Sequence, residues 1–130
     1  MKKMKKYITI LLILLSFTAF SQKDKKIAEM TFKETFHNFK TVWYKTDASF
    51  DFVFKNTGKI PLVITKVESS CGCTVPTWEK EPLNRNKSGI IKVKYDSSRI
   101  GQFTKTIKVY SNAINSPVTI TIQGEVKVTD

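Results

Sequence analysis

Two cysteines one residue apart, in Ser70-Cys71-Gly72-Cys73-Thr74, are the groups in this chain whose type and spacing come nearest to chemistry. In an oxidising compartment they can close a disulfide. Gly72 would allow the tight backbone this needs, since bridged Cα atoms lie about 4.4–6.8 Å apart. Such a ring is strained and so easier to reduce, and a loop this short stabilises little through chain entropy. Redox work also requires a thiolate of lowered pKa. No His or helix start flanks the pair, and only Lys66 and Lys80 are near in sequence.

A soft metal ion is the other use for two thiolates. With His37 the chain offers 2 Cys and 1 His, too few for a closed four-ligand zinc site. A two-coordinate Cu(I) site is allowed by ligand type but not indicated. A structural turn is the first reading of the motif and redox chemistry the second, so no metal and no cofactor is assigned. Nor is any catalytic residue. A Cys nucleophile needs a base, and His37 sits in Phe36-His37-Asn38-Phe39, which reads as a strand-end histidine. Glu79 and Glu81 flank Lys80 before Pro82, where a solvated loop is the plainer reading than an acid and base pair. There is no phosphate-cradling glycine loop, metalloprotease helix or nucleophile elbow. Asn86-Lys87-Ser88 matches a glycosylation sequon by chance.

Binding is better supported than catalysis. Phe50, Phe52, Phe54 and Phe103 fall on core positions of an alternating pattern, whereas Trp43, Tyr44, Trp78 and Tyr110 are less obviously internal. Trp43 and Tyr44 are adjacent, so on a strand they face opposite ways and one is exposed. Tyr44 and Trp78 are the candidate binding surface, because Trp and Tyr suit interfaces with one apolar and one wet side.

The elements that must position these groups are strands. From Ile27 onward apolar residues recur with a period near two. Ala48, Phe50, Phe52 and Phe54 alternate with polar neighbours, as do Phe103, Ile107 and Val109. Val118, Ile120, Ile122, Val126 and Val128 share one parity, with Gly124 marking a bulge or a close backbone approach. Weaker strands cover 30–36, 62–67 and 90–95. Turn signals separate them at 56–59, 84–89, 96–101 and 112–117. About seven short antiparallel strands without a helical period predict an all-β sandwich or barrel.

The start of the chain has another character. Lys2, Lys3, Lys5 and Lys6 precede an uncharged run from Ile8 to Phe20, too short to span a hydrocarbon core of about 30 Å. It reads as a signal peptide over residues 1–21, with Ala19-Phe20-Ser21 before the cut. The alternative is an uncleaved anchor. Cleavage leaves residues 22–130 as one domain with no transmembrane segment, in the periplasm or outside the cell. It removes four of the 22 basic residues and none of the 11 acidic ones, leaving 18 against 11, or +7. Lys92, Lys94, Lys105 and Lys108 look like the wet face of sheets, so the charge is read as solvated surface and no specific nucleic-acid partner is assigned.

Together, Phe54-x-Asn56-Thr57-Gly58-x-x-Pro61-Leu62-x-Ile64, Val67 through Ser70-Cys71-Gly72-Cys73-Thr74-x-Pro76, Gly101-x-Phe103-x-Lys105 and Ser111-Asn112 resemble a known bacterial family. It is the exported family called domain of unknown function fifteen-seventy-three. The likeness runs from about Phe32 to Val126, and the Ser-Cys-Gly-Cys-Thr element is its most specific part. It implies an immunoglobulin-like sandwich akin to the Hydin group and assigns no activity. Family members carry Phe-Gly where this chain has Phe39-Lys40, and Pro-Gly where it has Asn86-Lys87. Asn tolerates left-handed backbone, so the second turn is expected to survive.

The expected function is a non-enzymatic binding or structural module of the cell envelope, holding a protein or other envelope component by a sheet edge or by the loops at one end. The alternative is a small redox or metal-handling protein acting through Cys71 and Cys73.

Overall fold

The computed structural model describes residues 25–129, and the expected signal peptide lies outside them. Eight strands follow in order: β1 (Met30–Phe32), β2 (Phe36–Trp43), β3 (Ser49–Asn56), β4 (Ile64–Ser69), β5 (Thr74–Trp78), β6 (Ser88–Tyr95), β7 (Gly101–Ser111) and β8 (Val118–Lys127). They form two four-stranded sheets, ordered β1-β3-β6-β5 and β2-β8-β7-β4. Among the described residues no helix is long and apolar enough to cross a membrane.

The alternation read from sequence becomes the core. Phe52, Phe54, Ile91, Val93, Phe103, Ile107, Val109, Ile120, Ile122 and Val126 are buried, while Lys92, Lys94 and Lys108 point outward. Burying each large aliphatic or aromatic side chain contributes about 1.5–3 kcal/mol. Two stacked ring pairs tie the sheets together: Tyr95 of β6 on Phe103 of β7 at 3.7 Å, and Phe50 of β3 on His37 of β2 at 3.6 Å.

Four expectations are corrected. The strands are not all antiparallel, because β2 runs parallel to β8. The stretch 30–36 is not one strand. It breaks at residues 33–35, where the chain leaves one sheet for the other, so β1 pairs with β3 and β2 with β8. Val128 follows the end of β8 and is 53% exposed, past the last residue of the strand. Lys105 is not on the wet face: it pairs with the buried Ile122, between Phe103 and Ile107 on the inner face of β7, and is half-buried. β2 and β5 lack a full alternating signature, and their strand character comes from pairing with β8 and β6.

Asparagines hold the loops at one pole. Asn56 is fully buried; its Nδ2 donates to the carbonyls of Ile60 at 2.8 Å and Leu83 at 2.9 Å, and its Oδ1 accepts the Gly58 N–H at 3.0 Å. Gly58 is required there, because a Cβ would stand 2.4 Å from the Ile27 carbonyl oxygen and 2.5 Å from the Glu29 nitrogen. Asn112 brackets the next loop, accepting from Val63 N–H at 2.8 Å and donating to the Pro61 carbonyl at 3.0 Å. Asn86 takes left-handed backbone, φ 63°, as its turn requires.

All four sheet edges are blunted. β1 has 3 residues, and β5 carries Pro76, which has no N–H to offer. β4 has a register irregularity between Ile64 and Lys66. In β2, Asn38 pairs with Gln123 and Thr41 with Glu125, so Phe39 and Lys40 together face Gly124 in a bulge, with Lys40 left-handed at φ 58°. The Gly124 position is a close approach, since a Cβ would meet the Phe103 ring at 2.8 Å. Short, bulged or proline-bearing edges resist addition of a further strand.

Candidate functional site

The cysteine turn joins β4 to β5 and so links the two sheets. Cys71 and Cys73 are disulfide-bonded, with Cα atoms 5.3 Å apart. Cys73 is 3% exposed and part of the core, whereas Cys71 is half-buried. Local hydrogen bonds fix the turn: Ser69 Oγ donates to the Cys71 carbonyl at 2.7 Å, Cys73 N–H to Cys71 Sγ at 3.2 Å, and Asp96 N–H to the Cys73 carbonyl at 2.8 Å. Thr74 Oγ1 lies 3.7 Å from Cys73 Sγ. Ser70 ties the turn to β7, its N–H donating to the Thr106 carbonyl at 2.9 Å and its Oγ accepting from Thr106 N–H at 3.2 Å. Gly72 differs from expectation, since it avoids left-handed backbone and a Cβ there would touch nothing.

Beside this turn an open surface depression of about 540 Å³ is lined by Glu68, Ser69, Ser70, Thr106 and Lys108. A hydrogen bond from Lys66 holds the Glu68 carboxyl below the usual carboxylate range. His37 does not join the cysteines. It stands on β2, at the far edge of the sheet from β4, between Phe50 and the edge of Phe39, which meets it at 4.6 Å. Burial lowers its pKa, with Glu34 opposing. Among the described residues no three His, Cys, Asp or Glu side chains gather as a metal-binding group.

Tyr44 and Trp78 lie on different sheets. Trp78 ends β5, packs against the core, and keeps its Nε1 buried without a partner among the described residues. Tyr44 follows β2 in a turn anchored by Ser97, which accepts the Lys45 N–H at its carbonyl at 3.1 Å and donates its hydroxyl to the Thr46 carbonyl. Trp43 and Tyr44 are both exposed, at 48% and 38%, because strand alternation stops at Trp43.

Register adds two neighbours that sequence reasoning missed. Val42 and Gly101 both pair with Val126, so one step further along the three strands come Trp43, Lys127 and Ile100. Tyr44 N–H donates to the Lys127 carbonyl at 2.8 Å, placing Tyr44 level with Val128. Ile100 is 63% exposed and Val128 53%. Trp43 and Ile100 therefore flank Lys127 at one end of the sheet, Tyr44 and Val128 follow one step beyond with the opposite parity, and these four exposed apolar residues share one pole, with Lys45 over the Tyr44 ring. The one local hint is an isoleucine inside the turn Ser98-Arg99-Ile100-Gly101, where no core position exists.

Two four-stranded sheets packed face to face define an immunoglobulin-like, PapD-like β-sandwich, and solved structures of that kind resemble it. A protein of unknown function from Porphyromonas gingivalis W83 is 12% identical with a TM-score of 0.69, over 81% of this chain and 50% of that one. The ASH / PapD-like domain 7 of human CEP192 is 7% identical with a TM-score of 0.68, over 81% of this chain and 89% of that domain. The VesB protease of Vibrio cholerae is 15% identical with a TM-score of 0.60, over 75% of this chain and 32% of the protease. Identities this low speak for the fold alone, and the chain spans half of the Porphyromonas protein and about a third of VesB. No curated protein matches it. The chain belongs to the family described as Protein of unknown function (DUF1573), which matches residues 30–126.

Proposed function

We propose that this chain is a non-enzymatic binding module of the cell envelope, and that it grips a protein partner through the apolar pole of Trp43, Tyr44, Ile100 and Val128. The observation that carries this reading is the convergence, by strand register, of four large apolar side chains, each at least 38% exposed, on one end of the sandwich. Exposed apolar clusters rimmed by polar groups mark contact surfaces, with Trp and Tyr the usual anchors. The blunted edges favour this end-on mode over strand addition.

The chain enters the domain at the opposite pole, where Ala28 bridges Ala113, and β7 runs its 11 residues between the two ends. Export is inferred from the basic and apolar segments at residues 1–20.

The test is retention of envelope proteins on the immobilised domain, compared with a Trp43→Ser/Ile100→Ser variant of unchanged denaturation midpoint. Loss of a retained species in that variant, with retention kept in a Cys71→Ser/Cys73→Ser variant, is the expected outcome. Retention unaffected by the Trp43 and Ile100 changes removes the pole from consideration, and steep loss with salt alone points instead to polyanion binding.

A further inference from the structure

The β4–β7 register leads to a residue that lies far from the cysteines in sequence. Val67 pairs with Val109 and Ser69 with Ile107, and Ser70 remains bonded to Thr106 beyond the strand end. The next inward position after Ser69 is Cys71, and continuing the register one residue past the Ser70–Thr106 bond sets it level with Lys105. Lys105 is the lysine that stands on the inner face of β7, between buried Phe103 and Ile107, and it makes no ion pair among the described residues. A lysine on the inner face of a strand is unexplained by packing, but one level with a cysteine suits a thiolate, whose charge a nearby ammonium stabilises.

We propose that the Cys71–Cys73 disulfide is a thiol–disulfide exchange site, attacked at Cys71 by a protein dithiol and assisted by Lys105. Access selects the sulfur, since Cys71 is half-buried and Cys73 only 3% exposed. A thiolate of the partner attacks Cys71 Sγ, the Cys71–Cys73 bond breaks, and Cys73 leaves with the electron pair beside the Thr74 hydroxyl at 3.7 Å. The partner's second thiolate then attacks its own sulfur in the mixed disulfide and expels Cys71 as a thiolate. Lys105 and the Cys73 N–H, 3.2 Å from Cys71 Sγ, receive that charge. The partner dithiol is oxidised to a disulfide, the cysteine pair takes up its two electrons, and the two thiol protons pass through solvent to Cys71 and Cys73. The open depression beside Ser69 and Ser70 leaves room for the partner's loop.

Each cysteine is tested alone. The short loop contributes little to stability, so single variants are expected to fold, and their denaturation midpoints check this. Iodoacetamide alkylation of Cys73→Ser, followed across pH, should give a Cys71 thiol below the ordinary value near 8.5 and an alkylation rate at neutral pH about tenfold above that of Cys73→Ser/Lys105→Met. Cys73→Ser/Lys105→Arg should keep most of the effect. Oxidised glutathione should form an adduct with Cys71 in Cys73→Ser at least about tenfold faster than with Cys73 in Cys71→Ser, because access controls exchange. An ordinary Cys71 pKa, a rate indifferent to Lys105→Met, or equal reactivity of the two cysteines would each overturn the proposal. The apolar pole plays no part in these readouts, so they stand or fall apart from the binding function.

Discussion

The carboxamide of Asn115 pairs with the backbone of Met30 as a neighbouring strand would, donating Nδ2 to the Met30 carbonyl at 2.7 Å and accepting its N–H through Oδ1 at 3.1 Å. Met30 is 2% exposed, so water cannot replace the pair without opening the start of β1. Asn115→Ala leaves a buried donor and acceptor unmatched and is expected to cost about 2 kcal/mol. Chemical denaturation of the two proteins measures it, and a change within error would mean that water already serves Met30.

Lys40 occupies the bulge of β2 with φ 58°, its N–H donating to Asn38 Oδ1 at 2.8 Å. A non-glycine residue there bears about 1–2 kcal/mol of strain, partly offset in glycine by its greater unfolded freedom. Lys40→Gly should therefore raise stability by about 0.5–1 kcal/mol, and Lys40→Ile should lower it. This also accounts for the Phe-Gly that family members carry where this chain has Phe39-Lys40. Thermal midpoints of both variants decide the matter, with the opposite order as the adverse result.

Two glycines should answer alanine in opposite ways. At Gly58 the new methyl group would strike backbone at 2.4–2.7 Å, and backbone cannot turn aside as a side chain can. A loss of about 3 kcal/mol is expected. At Gly72 the methyl group would meet nothing, so Gly72→Ala should stay within about 0.5 kcal/mol of the parent. Comparable losses at both positions would contradict the described turn.

His37 makes stability depend on pH. Burial between Phe50 and Phe39 lowers its pKa below the ordinary 6.5, and Glu34 only partly opposes this. The unfolded chain then takes up a proton near 6.5 that the folded protein accepts only at lower pH. The contribution is full above that value and is lost as pH falls through the folded pKa. It is the single histidine of the chain, so urea midpoints between mildly alkaline and mildly acid buffer should decline for the parent and decline less for His37→Phe. Identical slopes would assign the loss to another group.

Alternation along 48–55, 103–109 and 118–126 specifies strands, their buried faces and the sandwich class, because a period of two is written in neighbouring residues and needs no knowledge of what lies opposite. The turn at Asn86 and the close approach at Gly124 are equally local, since each follows from what one residue type allows. The short strands β2 and β5, the parallel pairing of β2 with β8 and the break after Phe32 depend instead on which strand lies beside which. The same holds for both sites. Cys71 and Lys105 are 34 positions apart, and Trp43 and Ile100 are 57, in the numbering of the chain. Only pairing register, set by the whole hydrogen-bonded ladder and by closure of the core, brings these distant residues level with one another.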